Sequence, residues 1–235
     1  MLEQAFDALK TYDWGMDRHV LDPIDEAVVK TRNDPAARKQ LESQLLAMLQ
    51  SKAPRDAKDY VCRQLRTMGT AASVPTLEKL LLPDPELSHM ARYALERIPE
   101  PQAGQALERQ LRKLSANLKL GVVSSLGTRG QAGSSKPVGL LRPLLNDSDE
   151  AVGRAAAIAL GRIGSLEADK ALASAKPRAA LVAVFADASL SCAEKLLAGG
   201  HAREAKVTYE RLLKNQPSEL VRSAAERGLK ACQRG

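Results

Sequence analysis

One helix-length stretch, DSDEAVGRAAAIALGRIG over residues 147–164, constrains the fold more than any other part of the chain. Asp147 and Asp149 open it, and Asp is a residue type that favours the start of a helix. A stripe of apolar residues follows at intervals of four, which places them on one helix face: Val152, Ala156 and Leu160. Gly164 closes the stretch, as glycine does where a helix ends in a left-handed residue. The stretch therefore predicts one helix with one buried stripe.

Weaker copies of this pattern recur every thirty-odd residues. The middle stripe residues of four copies lie 30, 31 and 34 residues apart: Val61, Ala91, Val122 and Ala156. A helix breaker follows eight residues after each of them: Gly69, Pro99, Gly130 and Gly164. The last helix repeats the frame with Val221, Ala225 and Leu229. The 69-residue interval from Ala156 to Ala225 leaves room for one further helix pair.

Two helices in each period of 30–35 residues are typical of a solenoid. One helical hairpin cannot bury its own apolar face, whereas stacked hairpins share a continuous core. The composition agrees, since hydrophobic residues make up 44% of the chain but aromatic residues only 3%, and strands favour β-branched and aromatic residues. We predict an all-α fold, a right-handed α-solenoid (α–α superhelix) of stacked helical hairpins.

Local signals place the individual helices. The apolar spacing predicts helices over residues 2–11, 35–50, 54–68, 72–82, 85–98, 101–114, 116–127, 136–146 and 149–163. Three Asp-Pro pairs repeat one start signal, with Asp as the N-cap and Pro in the first turn: Asp22-Pro23, Asp34-Pro35 and Asp84-Pro85. We expect Trp14, together with Phe6 and Tyr12, to cover the open N-terminal end of the array.

The runs LEKLLL and DEAVGRAAAIALGRIG resemble the HEAT-repeat consensus of a leucine-rich first helix, an acidic turn and a Val/Ala second helix ending in Gly. The resemblance covers roughly residues 35–164 and is strongest in the last of these units. The family's ladder of acidic turns and basic helices is broken, because Gly153 and Ser88 stand where Arg is expected. The chain as a whole is similar to bacterial HEAT-repeat proteins that carry the run SHMARYALE, residues 88–96.

Residues 186–219 resemble a tetratricopeptide repeat, chiefly through GGHAREAKVTYERLL, although Ser189 replaces the expected Trp. Seven positions carry this likeness: Ala193, Leu196, Gly200, Ala205, Tyr209, Leu212 and Pro217. Together the two resemblances imply three segments of one continuous solenoid. These are N-terminal capping helices over 1–33, HEAT-like repeats over 34–164 and TPR/HEAT-like repeats over 165–235.

In such solenoids the second helices line a concave surface that binds extended partners. We expect the residues three before, one after and five after each stripe anchor to face this groove: Lys58, Cys62, Arg66, Ser88, Arg92, Glu96, Lys119, Val123, Gly127, Gly153, Ala157, Gly161, Arg222, Glu226 and Lys230. Gly153, Ala157 and Gly161 fit tight packing of a neighbouring helix better than an open groove. The predicted partner-binding residues are Lys58, Arg63, Arg66, His89, Arg92, Tyr93, Lys119 and Arg222.

An exposed Arg beside a Tyr, as in Arg92 and Tyr93, is typical of a binding hot spot. The alternative is that Tyr93 and His89 fill the seam to the next repeat. Our first functional hypothesis is a non-enzymatic scaffold that binds another protein or a peptide on this concave face. The less favoured alternative is binding of a nucleic-acid backbone, since residues 109–146 hold seven bases and no acid. That stretch equally fits a solvated basic face, and aromatic residues to stack on bases are scarce.

No motif points to a catalytic residue, a metal or a cofactor. The Gly-rich loop 127–137 lacks the spacing of a phosphate-binding loop. None of the three histidines has a partner at ligand spacing: His19, His89 and His201. An enzyme on a helical-repeat frame is the third hypothesis, for which no site can be named.

The cysteines and the hydropathy indicate where in the cell the protein is expected. Cys62, Cys192 and Cys232 are too few and too far apart for a disulfide framework, and we expect Cys62 and Cys192 to be buried thiols. No apolar run approaches the 18 residues of a membrane span. We expect a monomer that is cytoplasmic by default, or exported if a leader was removed ahead of Met1.

Overall fold

The computed structural model describes residues 1–82, 85–133, 137–215 and 218–233. Over these residues the chain is all-α, with fourteen α-helices, five short 3₁₀ helices and no strand. The helices form the stacked hairpins of an α-solenoid, which confirms the predicted fold class. The chain divides into two compact units, Met1–Leu114 and Ser115–Gly235. None of the described helices is long and apolar enough to cross a bilayer.

The first unit consists of hairpins whose second helices lie side by side. Its α-helices are α1 Leu2–Leu9, α2 Asp22–Lys30, α3 Pro35–Gln50, α4 Arg55–Met68, α5 Val74–Lys79, α6 Pro85–Arg97 and α7 Pro101–Leu111. Helix α4 packs against α3 and, more extensively, against α6, while α5 packs against α6 and α7. Short 3₁₀ helices precede α2, α3 and α5: Arg18–Leu21, Thr31–Asn33 and Ala71–Ser73.

The second unit repeats this arrangement. Its α-helices are α8 Ala116–Gln131, α9 Val138–Leu141, α10 Glu150–Ile163, α11 Leu166–Ser174, α12 Val182–Ala198, α13 Ala202–Lys214 and α14 Glu219–Cys232. Helix α10 lies between α8 and α12, and α13 packs against both α12 and α14. The two 3₁₀ helices are Arg142–Asn146 and Ala179–Leu181.

The middle residue of the stripe is buried in every repeat. The anchors in both units have at most 1% of their surface exposed: Val61, Ala91, Val122, Ala156 and Ala225. Because a residue every four positions stays on one helix face, these small and branched side chains form the shared interior of neighbouring hairpins. The interior is built from Leu, Ala and Val, as the composition predicts.

Two predicted N-caps and the left-handed stop are confirmed. Asp34 caps α3 by accepting hydrogen bonds from two backbone N–H groups of the first turn. Asp149 caps α10 by accepting one, from the Ala151 N–H at 2.8 Å. Gly164 ends α10 with a φ of 63°, in the left-handed region. Each of these signals acts within one turn of helix, which is why the local sequence predicts them.

The predicted helix start at Asp22-Pro23 is confirmed, because α2 begins at Asp22 and has Pro23 in its first turn. The predicted role of Asp22 as the N-cap is wrong. Asp22 is the first residue of α2 and has helical backbone angles, because the 3₁₀ helix Arg18–Leu21 leads directly into it. Asp17 caps that 3₁₀ helix instead, accepting from the His19 N–H at 3.0 Å. The third predicted start, Asp84, lies outside the described residues. So do Lys136 of the glycine-rich loop and Pro217 of the segment that resembles a tetratricopeptide repeat.

The predicted helix stop at Gly130 is also wrong, because α8 continues to Gln131. Gly130 and Gly127 serve close packing against α10 instead. A Cβ on Gly127 would lie 2.8 Å from Ala159 Cα, and one on Gly130 would lie 2.7 Å from Ile163 Cγ1. Glycine at these positions lets two helix backbones approach more closely than any side chain would permit.

The same close approach joins α10 to α12. A Cβ on Gly161 would lie 2.9 Å from Ala188 Cα and 3.0 Å from its carbonyl oxygen. Gly153, Ala157 and Gly161 are all buried. The interpretation of these small residues as helix packing is therefore confirmed, and their expected position on an open groove is wrong.

Trp14 does not cover the N-terminal end of the array. Its side chain is 91% exposed, whereas Ala5 and Leu9 of α1 are buried. Gly15 has a φ of 82°, and the turn that it makes leaves Trp14 in solvent. The prediction that Trp14 is a cap is wrong.

Glu42 of α3 is a buried carboxylate, 3% exposed, that holds the start of the next hairpin. It accepts hydrogen bonds from the Thr70 N–H at 2.8 Å, from the Thr70 hydroxyl at 2.9 Å and from the Ser73 hydroxyl. We expect Glu42→Ala to lower the free energy of unfolding by about 1–3 kcal/mol, because the Thr70 and Ser73 donors lose their acceptor. Urea denaturation measures the change.

Glu26→Ala is the matched control, since Glu26 pairs only with the exposed Lys30 at 3.0 Å. Its effect should stay within about 0.5 kcal/mol. Equal effects of the two substitutions would show that the Glu42 contacts do not stabilise the fold.

Gly161→Ala should destabilise the second unit by about 1–3 kcal/mol, because the new Cβ meets the backbone of α12 and forces the helices apart. Gly139→Ala in α9 is the control. A Cβ there meets nothing within 4 Å, and replacing a helical Gly by Ala gains up to about 1 kcal/mol. Thermal unfolding of the two variants should shift in opposite directions. A melting temperature of Gly161→Ala equal to that of wild type would contradict the close packing.

Candidate functional site

Helices α4 and α6 leave an open cleft of about 340 Å³ between their outer faces. Its lining residues come from both helices: Cys62, Arg63, Arg66, Met90 and Tyr93. Cys62 forms the floor and is 2% exposed, while Tyr93 is 46% exposed. We call this space the α4–α6 cleft.

The pattern of α4 explains which side chains reach the cleft. Its apolar stripe faces inward, and the charged residues at helical spacing lie on the other face, where Arg63 and Arg66 are exposed and Asp59 is largely covered: Asp56, Asp59, Arg63 and Arg66. The acids lie near the N-terminus of the helix and the bases towards its C-terminus, which the helix dipole favours. The sequence of α4 therefore places cations at the cleft.

The two arginines of the cleft differ in their pairing. Arg63 forms an ion pair with Asp59, and this hydrogen-bonded contact raises the pKa of Arg63. Arg66 is exposed and has no hydrogen-bond or ion-pair partner in the part of the chain that the structure describes. Arg66 is therefore the side chain of the cleft whose charge is available to a ligand.

Arg92 and Tyr93 of α6 form a stacked pair. The guanidinium carbon of Arg92 lies 4.3 Å from the centre of the Tyr93 ring, within the range of a cation–π contact. A nitrogen of Arg92 lies 3.7 Å from Glu96. Arg92 itself is only 8% exposed. The cation–π contact with Arg92 thus fixes the position of the half-exposed Tyr93 ring.

The structure brings together three of the predicted binding residues and places the others elsewhere. Arg63, Arg66 and Tyr93 line one cleft. Lys58 and His89 lie on the same two helices, half-buried and exposed respectively, outside its lining. Lys119 and Arg222 belong to the second unit, on α8 and α14.

The expected position of Arg92 on an open groove is wrong, because α6 packs beside α4 and covers this face. The same holds for several other positions assigned to the groove, all at most 3% exposed: Cys62, Ser88, Val123 and Ala157. Ser88, for example, donates to the Leu81 carbonyl at 2.9 Å. These positions form the seams between neighbouring second helices, and the interhelical packing that buries them depends on residues far away in sequence.

Sequence reasoning missed a second pocket, next to the first. The loop that carries Trp14 lies against the first turns of α4 and encloses about 300 Å³. Arg63 lines both this pocket and the α4–α6 cleft. The sequence feature that marks this pocket is a lone Trp beside a Gly in a polar loop, a pattern that also fits a cap at the end of the array.

The buried cysteines are held as thiols. Burial raises the pKa of Cys62 and of Cys192 to about 12. At neutral pH neither is the thiolate that acts as a nucleophile or metal ligand. In the described ranges, no group of three His, Cys, Asp or Glu side chains is placed to hold a metal ion.

Two of the seven bases in the acid-free stretch are not available to a ligand. Arg129 is 2% exposed. Arg109 pairs with Glu78 through two hydrogen bonds of 3.0 and 2.7 Å, which lower the pKa of Glu78. Charges that are buried or paired within the protein contribute little to binding of a phosphate backbone.

Comparison with known proteins finds one match to a protein family, over part of the chain. Residues 109–182 match the family model of HEAT repeats. The matched segment includes α8 and α10, whose glycines carry the close helix packing. The matched range, 109–182, begins later than the resemblance predicted over 35–164 and ends beyond it. The likeness of residues 186–219 to a tetratricopeptide repeat stays a prediction.

Two solved structures are similar to this chain in fold. An engineered protein is 20% identical, with 90% of this chain and 96% of that chain covered and a TM-score of 0.43. Human deoxyhypusine hydroxylase in complex with glycerol is also 20% identical, with 91% and 96% covered and a TM-score of 0.33. Both TM-scores lie below 0.5, and neither neighbour bears on the function. A search of curated proteins returned no significant match.

We expect iodoacetamide to modify Cys232 faster than Cys62 or Cys192 in the folded protein. Cys232 is partly exposed near the end of α14, whereas the other two are at most 2% exposed and have raised pKa values. Mass spectrometry of timed samples measures the order. In guanidinium chloride the three rates should converge, and rapid labelling of Cys62 without denaturant would contradict its place as the floor of the cleft.

Proposed function

We propose that this protein is a non-enzymatic scaffold that binds a partner protein through the α4–α6 cleft. HEAT repeats in general mediate protein interactions, which supports the class of function. The observation that carries the proposal is the unpaired Arg66 across the cleft from the half-exposed ring of Tyr93. Arg and Tyr are the residue types that most often dominate binding energy at protein interfaces.

The chemistry of the cleft favours an acidic partner segment. A carboxylate of the partner would accept charge-assisted hydrogen bonds from Arg66, with Arg63 adding a second positive charge beside it. An apolar side chain next to that carboxylate would pack on Met90 and Tyr93. The partner is therefore a segment in which Asp or Glu stands beside an apolar residue.

Nucleic-acid binding is the weaker candidate. In the acid-free stretch 109–146, Arg129 is buried and Arg109 is paired with Glu78. A phosphate backbone requires several unpaired cations in a row, whereas the α4–α6 cleft offers one unpaired arginine beside an apolar surface. Cys62, the only thiol in the cleft, is held protonated and offers no thiolate to a substrate.

Selection of a random dodecapeptide display library on the immobilised protein tests the proposal. We expect enriched peptides to carry Asp or Glu beside an apolar or aromatic residue. Arg66→Glu should weaken their binding at least about tenfold, because a charge-assisted hydrogen bond is replaced by repulsion. Tyr93→Ala should weaken it by a similar factor, through loss of the aromatic anchor. Isothermal titration calorimetry with the synthetic peptides measures both effects.

Arg154→Glu is the matched control. Arg154 is an exposed arginine on α10, another second helix, and has no hydrogen-bond or ion-pair partner among the described residues. Its reversal makes the same change of net charge away from the cleft. It should leave peptide affinity within about twofold of wild type. Enrichment without acidic residues, or equal losses in Arg66→Glu and Arg154→Glu, would overturn the proposal.

A further inference from the structure

The pocket beside the cleft, between the loop of residues 12–16 and the first turns of α4, has a different chemistry from the cleft itself. Its walls are aromatic or apolar side chains, Tyr12, Trp14, Met16 and Tyr60. Its charged lining residues are two acids, Asp56 and Asp59, and two bases, Arg18 and Arg63. We call it the Trp14 pocket. We propose that the Trp14 pocket binds a basic side chain, Lys or Arg, of the same partner segment whose acidic residue occupies the α4–α6 cleft. This inference rests on the proposed function.

The aromatic walls are suited to a cation. Trp14 is 91% exposed, and Trp is the side chain whose ring face attracts cations most strongly. Tyr60 forms the opposite, buried wall and is fixed by its hydroxyl, which donates to Asp25 Oδ1 at 2.9 Å. One side of the Tyr60 ring already has a cation near it, because the Arg18 guanidinium lies 5.9 Å from the ring centre. The exposed ring of Trp14 has no such partner among the described residues.

The two cations that line the pocket are already paired. Arg18 is paired with Asp22 at 3.0 Å and with Asp25 at 2.6 Å, neither of which lines the pocket, and Arg63 is paired with Asp59. Asp22 also bonds the His19 ring at 2.9 Å, and this hydrogen bond raises the pKa of His19. Asp56 is therefore the charged lining residue whose charge is not paired among the described residues.

The two acids that line the pocket differ in what they offer a ligand. Asp56 has no hydrogen-bond or ion-pair partner over the described ranges. Asp59 binds Arg63 through Oδ2, while its Oδ1 is buried, out of reach of a ligand. Asp56 is therefore the carboxylate that can accept a charge-assisted hydrogen bond from a Lys ammonium or Arg guanidinium of the partner.

Both sites are carried by one rigid helix, which fixes their spacing. Asp59 and Arg66 lie seven residues apart on the same face of α4, a rise of about 10 Å. An extended peptide covers that distance in about three residues. The partner segment should therefore carry a basic and an acidic residue about three positions apart, with the apolar residue beside the acidic one.

Defined peptides test this inference. The probes are acetylated, amidated peptides containing Lys-Ala-Leu-Glu or the reverse order Glu-Leu-Ala-Lys between Gly-Ser flanks, together with versions that have norleucine for Lys or Gln for Glu. Trp14 is the only tryptophan of the chain, so its emission reports on the pocket directly. We expect one of the two orders to shift the Trp14 emission and to bind about fivefold more tightly than its norleucine version.

Variants of the pocket should remove the preference for Lys. In Trp14→Ala and in Asp56→Asn, the Lys and norleucine peptides should bind equally, as measured by calorimetry. Trp14→Ala removes an almost fully exposed side chain, and its melting temperature should match that of wild type. Glu194→Gln, which neutralises an exposed carboxylate on α12, is the control and should keep the fivefold preference.

The outcomes separate this inference from the proposed function. Loss of affinity on replacing Glu by Gln, with no effect of norleucine and no change in Trp14 emission, would overturn the basic-residue pocket and leave the α4–α6 cleft standing. Indifference to both replacements, or no binding of any probe at millimolar concentration, would overturn both. A preference for Lys that persists in Trp14→Ala and Asp56→Asn would place the basic residue elsewhere and overturn this inference alone.

Discussion

Direct contact between the backbones of neighbouring second helices is the constraint on which the second unit depends. At Gly127 and Gly161 the facing residue is an alanine, and its Cα lies within 3 Å of where a Cβ would stand. Helices packed at this distance leave no room for a groove between them, since the interaxial distance follows the side chains at the contact. In the first unit the facing helices α4 and α6 carry Cys62, Met90 and Tyr93 at their seam. An open cleft exists there because larger side chains hold the outer faces apart.

The charges of α4 serve two purposes with one arrangement. Acids in the first turns and bases in the last turns stabilise the helix through its dipole. The same order places carboxylates beside the Trp14 loop and arginines beside Tyr93. Arg63 lies between them and pairs with Asp59, so the positive and negative regions are joined by an internal ion pair. A surface of this kind distinguishes the direction of a bound chain as well as its composition.

The sequence predicts features that are decided within one helix and misses those decided between helices. The buried stripe through Val61 and Ala156 follows from the helical period, and Asp34 and Gly164 act within a single turn. Gly130 was interpreted as a breaker because a glycine that permits close packing has the same identity as one that ends a helix. Arg92 is predicted to be exposed but is buried, and Trp14 is predicted to be covered but is exposed. Both environments depend on packing between elements, which the neighbouring residues in sequence do not determine.

The glycines at the helix contacts, Gly127, Gly130 and Gly161, also fix the register between neighbouring helices. A helix that advanced by one residue past its neighbour would turn by about 100° and bring a bulkier side chain, such as Leu126 or Leu160, to the point where only a hydrogen fits. A screw motion of α8, α10 or α12 past its neighbour is thereby blocked, and the three helices are held in one register.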